Sequence, residues 1–401
     1  MPSQQPLKPA VLDVFCGAGG MSLGFQRAGC KILGGIDHNP HAVTTHHQNF
    51  PKCKLKLEAT DIRTLEDLPS LNLQPREVDI LIGGPPCQVF SRVGLGKMKH
   101  DLKWDIEKDH RNFLYKEYVR FVDYYQPFFF VMENVDNLAN KKELLSTILD
   151  ELAACGYKVE YEVLDSSKFG VPQRRRRIFL IGVRSDLLWE PIFPKPSGQK
   201  AFSVGDAISD LPELKPIILS LKSKSRGPRQ KDCDLLYRGE PESIYQQKMR
   251  RHNGDRVRNH LCRAHNDKDL EIFKTLKQGG KYRDLPEEMM RYRVDIFDDK
   301  YHRLYWDKPS WTLTAHMRKD CLAYIHPLQT RSISVREAAR IQSFPDNFVF
   351  QAPMTRMFEL IGNSVPPLLA EAVAKPIVKL IRRYYSQKVT RQNDTVRSKV
   401  S

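Results

Sequence analysis

Cys87 closes the stretch Gly84-Pro85-Pro86-Cys87 and leads into Gln88-Val89-Phe90-Ser91. Two prolines fix their own φ angles, so the thiol sits on a stiff turn where it can act as a nucleophile. A lone cysteine is more often a small buried hydrophobe, so its neighbours must decide. Glu133, in Met132-Glu133-Asn134-Val135, places a carboxylate at the end of an apolar run. In Gln173-Arg174-Arg175-Arg176-Arg177, alternate residues of a strand share a face, so Arg175 and Arg177 would act together. Arginine forks suit phosphate and carbonyl oxygens, although a charge run can also be solvated surface. Asp13-Val14-Phe15-Cys16-Gly17-Ala18-Gly19-Gly20 is a glycine loop, with Asp37 some twenty positions on. Such a loop lets a ligand approach the backbone, and a carboxylate at that distance can accept from ribose hydroxyls. Asp37 could instead cap a helix. Asp61 could accept from an adenine amine or cap a turn. The loop lacks the G-x-G-x-x-G spacing of nicotinamide enzymes, which argues against a dehydrogenase. A thiol, a carboxylate and a nucleoside pocket together suit attack on a pyrimidine ring.

These groups need a frame. Short apolar runs at 11–15, 31–36, 78–82, 128–132 and 178–183 read as strands, and Met21, Leu23, Phe25 and Ala28 give helical spacing after the glycine loop. Strands alternating with helices imply a largely parallel, doubly wound sheet, with ligands beyond the carboxyl ends of its strands. The glycine and polar residues fall at those ends. Near residue 190 prolines accumulate and the alternation is lost. Residues 221–330 hold 24 Lys and Arg against 16 Asp and Glu, so this stretch reads as a second, basic domain. A helical pattern returns at Ser334 (Val335, Ala338, Ala339, Ile341), followed by Gly362-Asn363-Ser364-Val365-Pro366-Pro367 and an apolar helix to about Tyr385. The predicted division is 1–188, 189–330 and 331–401, the last returning to the first domain.

The chain has 401 residues, 64 Lys and Arg against 48 Asp and Glu, and a net charge of +16. That balance points to a polyanionic partner, nucleic acid before acidic membrane. No run approaches the roughly 20 apolar residues of a membrane span, and the first residues do not read as a secretory signal. Eight cysteines form no C-x-x-C pair, so neither a zinc site nor a disulfide framework is expected, and a reducing cytoplasmic setting fits. Ten residues precede the first motif, which leaves no expectation of an appended regulatory module.

DVFCGAGG, GGPPCQVFS, MENV, QRRRR, SVREAARIQSFPD and GNSVPP, in this order, resemble the cytosine-5 DNA methyltransferases of prokaryotic type. The resemblance covers nearly the whole chain apart from its variable middle. It implies a Rossmann-like α/β domain that binds S-adenosylmethionine, with a smaller basic target-recognition domain. It implies a cofactor site at Phe15, Gly17, Gly19, Asp37, His38, Asp61, Ile62, Pro86, Leu114, Asn363 and Val365. His38 stands where the family often has a bulkier aromatic. The resemblance also implies that Cys87 is the nucleophile, that Glu133 grips the N3/N4 edge of cytosine, and that Arg175 and Arg177 help fix thiol and base. Gln88, Ser91, Arg92 and the pair Thr312-Leu313 are the expected DNA contacts, and no metal is expected.

Cytosine C5 is too electron-poor to attack a sulfonium methyl until a thiolate adds at C6. A base inside a duplex is out of reach, so the cytosine must flip out, and the basic stretch 89–111 reads as a lid over it. The expected partner is duplex DNA, with a cognate restriction endonuclease acting separately, and the expected state is a monomer at the nucleoid. Two other readings stay open. The transfer-RNA branch of the family has similar length and motifs, but its Cys-Phe-Thr is absent from 185–330. A catalytically silent DNA-binding relative is opposed by intact Cys87, Glu133 and Arg177.

Overall fold

The computed structural model describes residues 7–86, 113–196, 198–218, 235–291 and 300–400. They form two compact units. The first comprises Met1–Asp165, Arg176–Pro196 and Pro367–Ser401, and the second Ser166–Arg175 and Ser197–Pro366. The chain returns to the first unit at Pro367, and residues 331–366 pack within the second.

In the first unit, β1 (Ala10–Val14), β2 (Lys31–Ile36), β3 (Ile80–Gly83), β4 (Phe129–Val135), β5 (Tyr157–Asp165) and β6 (Arg176–Arg184) form one sheet in the order β2-β1-β3-β4-β6-β5. β1, β2, β3 and β4 pair in parallel, while β6 runs antiparallel to both β4 and β5. Continuous apolar runs make the central strands: Val11, Leu12 and Val14 in β1, and Ile80, Leu81 and Ile82 in β3, are all fully buried or nearly so. Strands covered on both faces read in this way because neither face meets water. β5 instead alternates (Tyr157, Val159, Tyr161 and Val163 with charged residues between), as an edge strand does. The sequence reading passed over it.

Helices α1 (Gly20–Arg27), α2 (Pro40–Asn49), α3 (Leu114–Tyr125) and α4 (Lys142–Ala154) connect these strands. The long helix that begins at Pro367 packs on α1. Gly24 makes this approach possible, since a Cβ there would collide with Ala370. Arg27 pairs with Glu371 at 3.1 Å, and Arg382 donates to the Gly29 carbonyl at 2.9 Å.

The second unit has little regular sheet. Its core joins an apolar cluster around Phe273, Tyr282 and Ile325 with buried polar pairs on short helices. Ser334 and Glu337 form a capping box at the helix Val335–Ile341, and Glu337 also accepts two hydrogen bonds from Arg331. Arg340, fully buried, bridges Asp210 and Asp346. The charged residues of SVREAARIQSFPD are therefore structural. Among the described residues, no helix is long and apolar enough to cross a membrane.

Candidate active site

The glycine loop lies at the carboxyl end of β1. Phe15 takes a left-handed conformation (φ 59°), and Gly17 and Gly19 follow at φ 52° and 94°. The chain turns sharply there and enters α1 at Gly20. A Cβ on Gly17 would meet nothing within 4 Å, so this side of the loop is open. Asp37, at the end of β2, accepts from the Gly17 N–H at 2.9 Å and the Asn39 N–H at 2.8 Å. Burial raises its pKa above the ordinary carboxylate value, and these N–H groups pull it back. His38 beside it is mostly exposed.

Asp61 caps a short turn and receives the Arg63 guanidinium on both oxygens, at 2.5–3.1 Å. That hydrogen bonding holds its pKa down at about 2. Ile62 is buried, and Phe15 and Leu114 pack against the same core cluster. The sheet thus gathers Phe15, Gly17, Asp37 and Ile62 at one edge. An open glycine turn, a pre-oriented carboxylate and apolar surface fit a nucleoside ligand with a cationic sulfonium. Asn363, exposed, and Val365, buried, belong to the second unit.

At the same edge of the sheet, Glu133 ends β4 and Arg177 begins β6. The two strands pair without a shift from Phe129↔Val183 to Val135↔Arg177, which makes Glu133 and Arg177 diagonal neighbours on one face. Arg177 Nε lies 3.0 Å from Glu133 Oε1, and both side chains are largely buried. Gly84 leaves room for the carboxylate, since a Cβ there would lie 3.0 Å from Glu133 Oε2. Asn134 Nδ2 donates to the Pro85 carbonyl at 3.2 Å, so the turn carrying Pro85 and Pro86 is tied to the strand carrying Glu133. Pro86 is half-buried. Cys87, Gln88, Ser91, Arg92 and the stretch 89–111 lie outside the described residues.

Alternation along the arginine run holds: Arg174 and Arg176 are exposed, Arg175 is buried and Arg177 nearly so. Arg175, however, belongs to the second unit, where it donates to the Leu313 carbonyl at 2.8 Å. Thr312 donates to the Arg174 carbonyl at 2.9 Å, and the Leu313 N–H donates to Gln173 Oε1 at 2.8 Å. The Leu313 side chain is fully buried. The Leu313 N–H and carbonyl are thus taken by Gln173 and Arg175.

Sequence reasoning missed a buried trio behind the glycine loop. Ser22 Oγ donates to Asp13 Oδ2 at 2.6 Å and lies 3.1 Å from His46 Nε2. A charged residue inside the apolar run Val11-Leu12-Asp13-Val14 was the available signal.

The fold and this edge define an S-adenosylmethionine-dependent methyltransferase. A solved structure assigned as a prophage-encoded DNA modification methyltransferase of E. coli matches 93% of this chain and 99% of its own, at 26% identity and a TM-score of 0.73. The Spodoptera frugiperda DNMT2 structure matches 92% of the chain at 18% identity and a TM-score of 0.55, a likeness of fold alone. The model of the C-5 cytosine-specific DNA methylases matches residues 10–379, and the chain belongs to that family. Its relatives include the type II methyltransferases M1.HphI of Haemophilus parahaemolyticus, 38% identical over 92% of this chain and 86% of that protein, and M.DdeI of Desulfomicrobium norvegicum, 35% identical over 96% and 91%.

Proposed function

We propose that Cys87, Glu133 and Arg177 carry out methyl transfer to C5 of a flipped cytosine in duplex DNA. The observation that carries this reading is the buried Glu133–Arg177 pair, on the strand tied to the turn that leads into Cys87. The Cys87 thiolate adds to C6 and forms a carbon–sulfur bond. Arg177 favours the thiolate by its charge. Negative charge then gathers at N3, where Glu133 shares a proton, while its other oxygen grips the exocyclic amine. S-adenosylmethionine, when bound, would supply the electrophilic methyl that C5 takes, its sulfur–methyl bond breaking to leave the neutral thioether S-adenosylhomocysteine. Water removes the C5 proton, the carbon–sulfur bond breaks, and Cys87 leaves as thiolate.

Phe15, Gly17, Asp37 and Ile62 would hold the cofactor, with His38, Asp61, Pro86 and Leu114 around them. Residues 189–330 choose the DNA sequence, supported by the excess of basic residues in 221–330. The type II names of the relatives support a cognate endonuclease acting separately.

The test uses a duplex carrying 5-fluorocytosine at the recognised site, found first by bisulfite sequencing of DNA from a methylation-free host. The native chain should form a covalent adduct, and Cys87→Ser should form none and transfer no methyl. Turnover by Cys87→Ser, or methylation of transfer RNA in place of duplex DNA, would overturn the reading.

A further inference from the structure

Beneath the glycine loop three polar side chains from three elements meet out of reach of water. Asp13 lies near the end of β1, Ser22 in the first turn of α1 and His46 in α2, and none is more than 1% exposed. Asp13 Oδ2 accepts from the Ser22 N–H at 3.2 Å and from Ser22 Oγ at 2.6 Å. With that hydroxyl proton spent on Asp13, His46 Nε2–H is the donor to Ser22 Oγ across 3.1 Å. His46 Nδ1 is then buried with no hydrogen-bond partner among the described residues.

Space for the imidazole is made by two glycines. A Cβ on Gly35 would lie 2.6 Å from His46 Nε2, and one on Gly19 would lie 3.0 Å from His46 Cδ2. Phe50 packs against the ring at a tilt of 35°, with centroids 4.5 Å apart. The ring is thus wedged between the glycine loop and β2. An apolar side chain could fill this volume without an unsatisfied nitrogen, so packing alone does not account for a histidine here. Burial lowers the His46 pKa to about 3, so the ring is neutral and acts through hydrogen-bond direction.

We propose that His46, through Ser22 and Asp13, is a positioning residue for the cofactor: an interior strut that fixes the glycine loop and the first turn of α1 in the geometry that accepts S-adenosylmethionine. The proposal rests on the reading that this loop and Asp37 hold the cofactor. Two anchors then set the loop, Asp37 gripping Gly17 on the open side and Asp13 gripping Ser22 from inside. Loosening the inner anchor lets the loop backbone drift relative to the carboxylate, and small displacements of binding groups are costly.

The experiment measures S-adenosylmethionine Kd by calorimetry, together with Tm, for the native full chain and for Ser22→Ala, His46→Leu, His46→Gln and Asp37→Ala, at a temperature where each is folded. Ser22→Ala and His46→Leu should each weaken cofactor binding about tenfold, the scale of one hydrogen bond in a charged network. Their combination should be no worse than the stronger single change, because both break one chain. His46→Gln, which can bring an amide N–H to the place of Nε2, should recover most of the affinity, and the loss should appear in cofactor KM more than in kcat. A Kd within about twofold of native in Ser22→Ala, with a lowered Tm, would reduce the trio to a stability element and overturn the proposal. Ser22→Ala decides the matter alone if His46→Leu does not fold. If Asp37→Ala also leaves Kd unchanged, the cofactor-site reading itself has failed.

Discussion

Replacing Glu133 with Gln separates catalysis from scaffolding. The carboxylate is 8% exposed and lies 3.0 Å from Arg177 Nε. At an effective dielectric near 20 the gross attraction of such a pair is about 4 kcal/mol. Gln keeps an acceptor facing Nε, so the folded state loses charge assistance but not the hydrogen bond. That costs about 1–2 kcal/mol and, in a chain this size, a few degrees of Tm. The chemical step should lose far more. Proton sharing with N3 exists only once C6 has been attacked, and a positioned acid contributes about 10²–10⁴ in rate, or about 3–5 kcal/mol. The loss should therefore appear in kcat, with DNA affinity nearly constant because phosphate contacts dominate it. Single-turnover transfer of labelled methyl, with a melting curve on the same preparation, measures both. A kcat within tenfold of native beside a lowered Tm would refute the catalytic role and leave Glu133 as a strand-end ion pair.

Three further changes probe the same edge. Gly84→Ala would place a Cβ 3.0 Å from Glu133 Oε2. Turnover should fall by roughly tenfold or more with little change in Tm, read by initial rates and a thermal melt. Arg177→Lys removes the Nε that meets Glu133 and should cost about 10–100-fold in turnover, whereas Arg176→Lys, on an exposed side chain 3.7 Å from Asp136, should stay within about twofold. Burial, the largest cause, raises the Asp13 pKa from 3.8 to about 7. The folded state therefore holds this proton more tightly than the unfolded chain, its stabilisation is complete below about pH 4, and it is lost as pH rises to about 7. Asp13→Asn, which mimics the protonated acid, should gain on the native chain across that window by up to a few kcal/mol and level off above it. Parallel Tm curves against pH would contradict this.

Much of the first unit was legible because strands covered on both faces must be apolar throughout. The runs at 11–15, 31–36, 78–82, 128–132 and 178–183 all became strands, with ends shifted by a few residues. β5 is not a continuous apolar run: Val159 and Val163 alternate with charged Glu160 and Glu162, a period-two pattern that a search for uninterrupted apolar runs passes over. In the second unit the sequence shows the basic excess of 221–330 but not the packed core. Arg336 and Arg340 look like the solvated side of a helix, yet both are fully buried, since the Arg258 carbonyl and the Asp210 carboxylate, far away in sequence, and the nearby Asp346 receive them. Residues 331–366 pack within the second unit. At the site, Asp37, Glu133 and Arg177 were visible because each stands at the end of an apolar run. Ser22 and His46 have no special spacing, and only the convergence of α1 and α2 on β1 makes them neighbours of Asp13.

The reversal of β6 explains how an arginine reaches Glu133. In a parallel sheet every strand leaves at the carboxyl edge, and whatever follows is a turn. A strand running the other way enters at that edge, so its first residues are held by ladder hydrogen bonds. β6 is paired on both sides, to β4 over seven residue pairs and to β5 over nine. A slip of one residue would put Arg176 or Ile178 at the place of Arg177 and exchange the side chains packed on the two buried faces of the strand. Ile178, Phe179, Leu180 and Ile181, all fully buried and differing in shape, oppose that slip. The short distance between guanidinium and carboxylate is therefore enforced by the sheet's own packing, far more rigidly than two loops could hold it. In the mechanism proposed above, a carboxylate held fixed while charge builds on the flipped base gains from that rigidity, because the geometry is set before the substrate arrives.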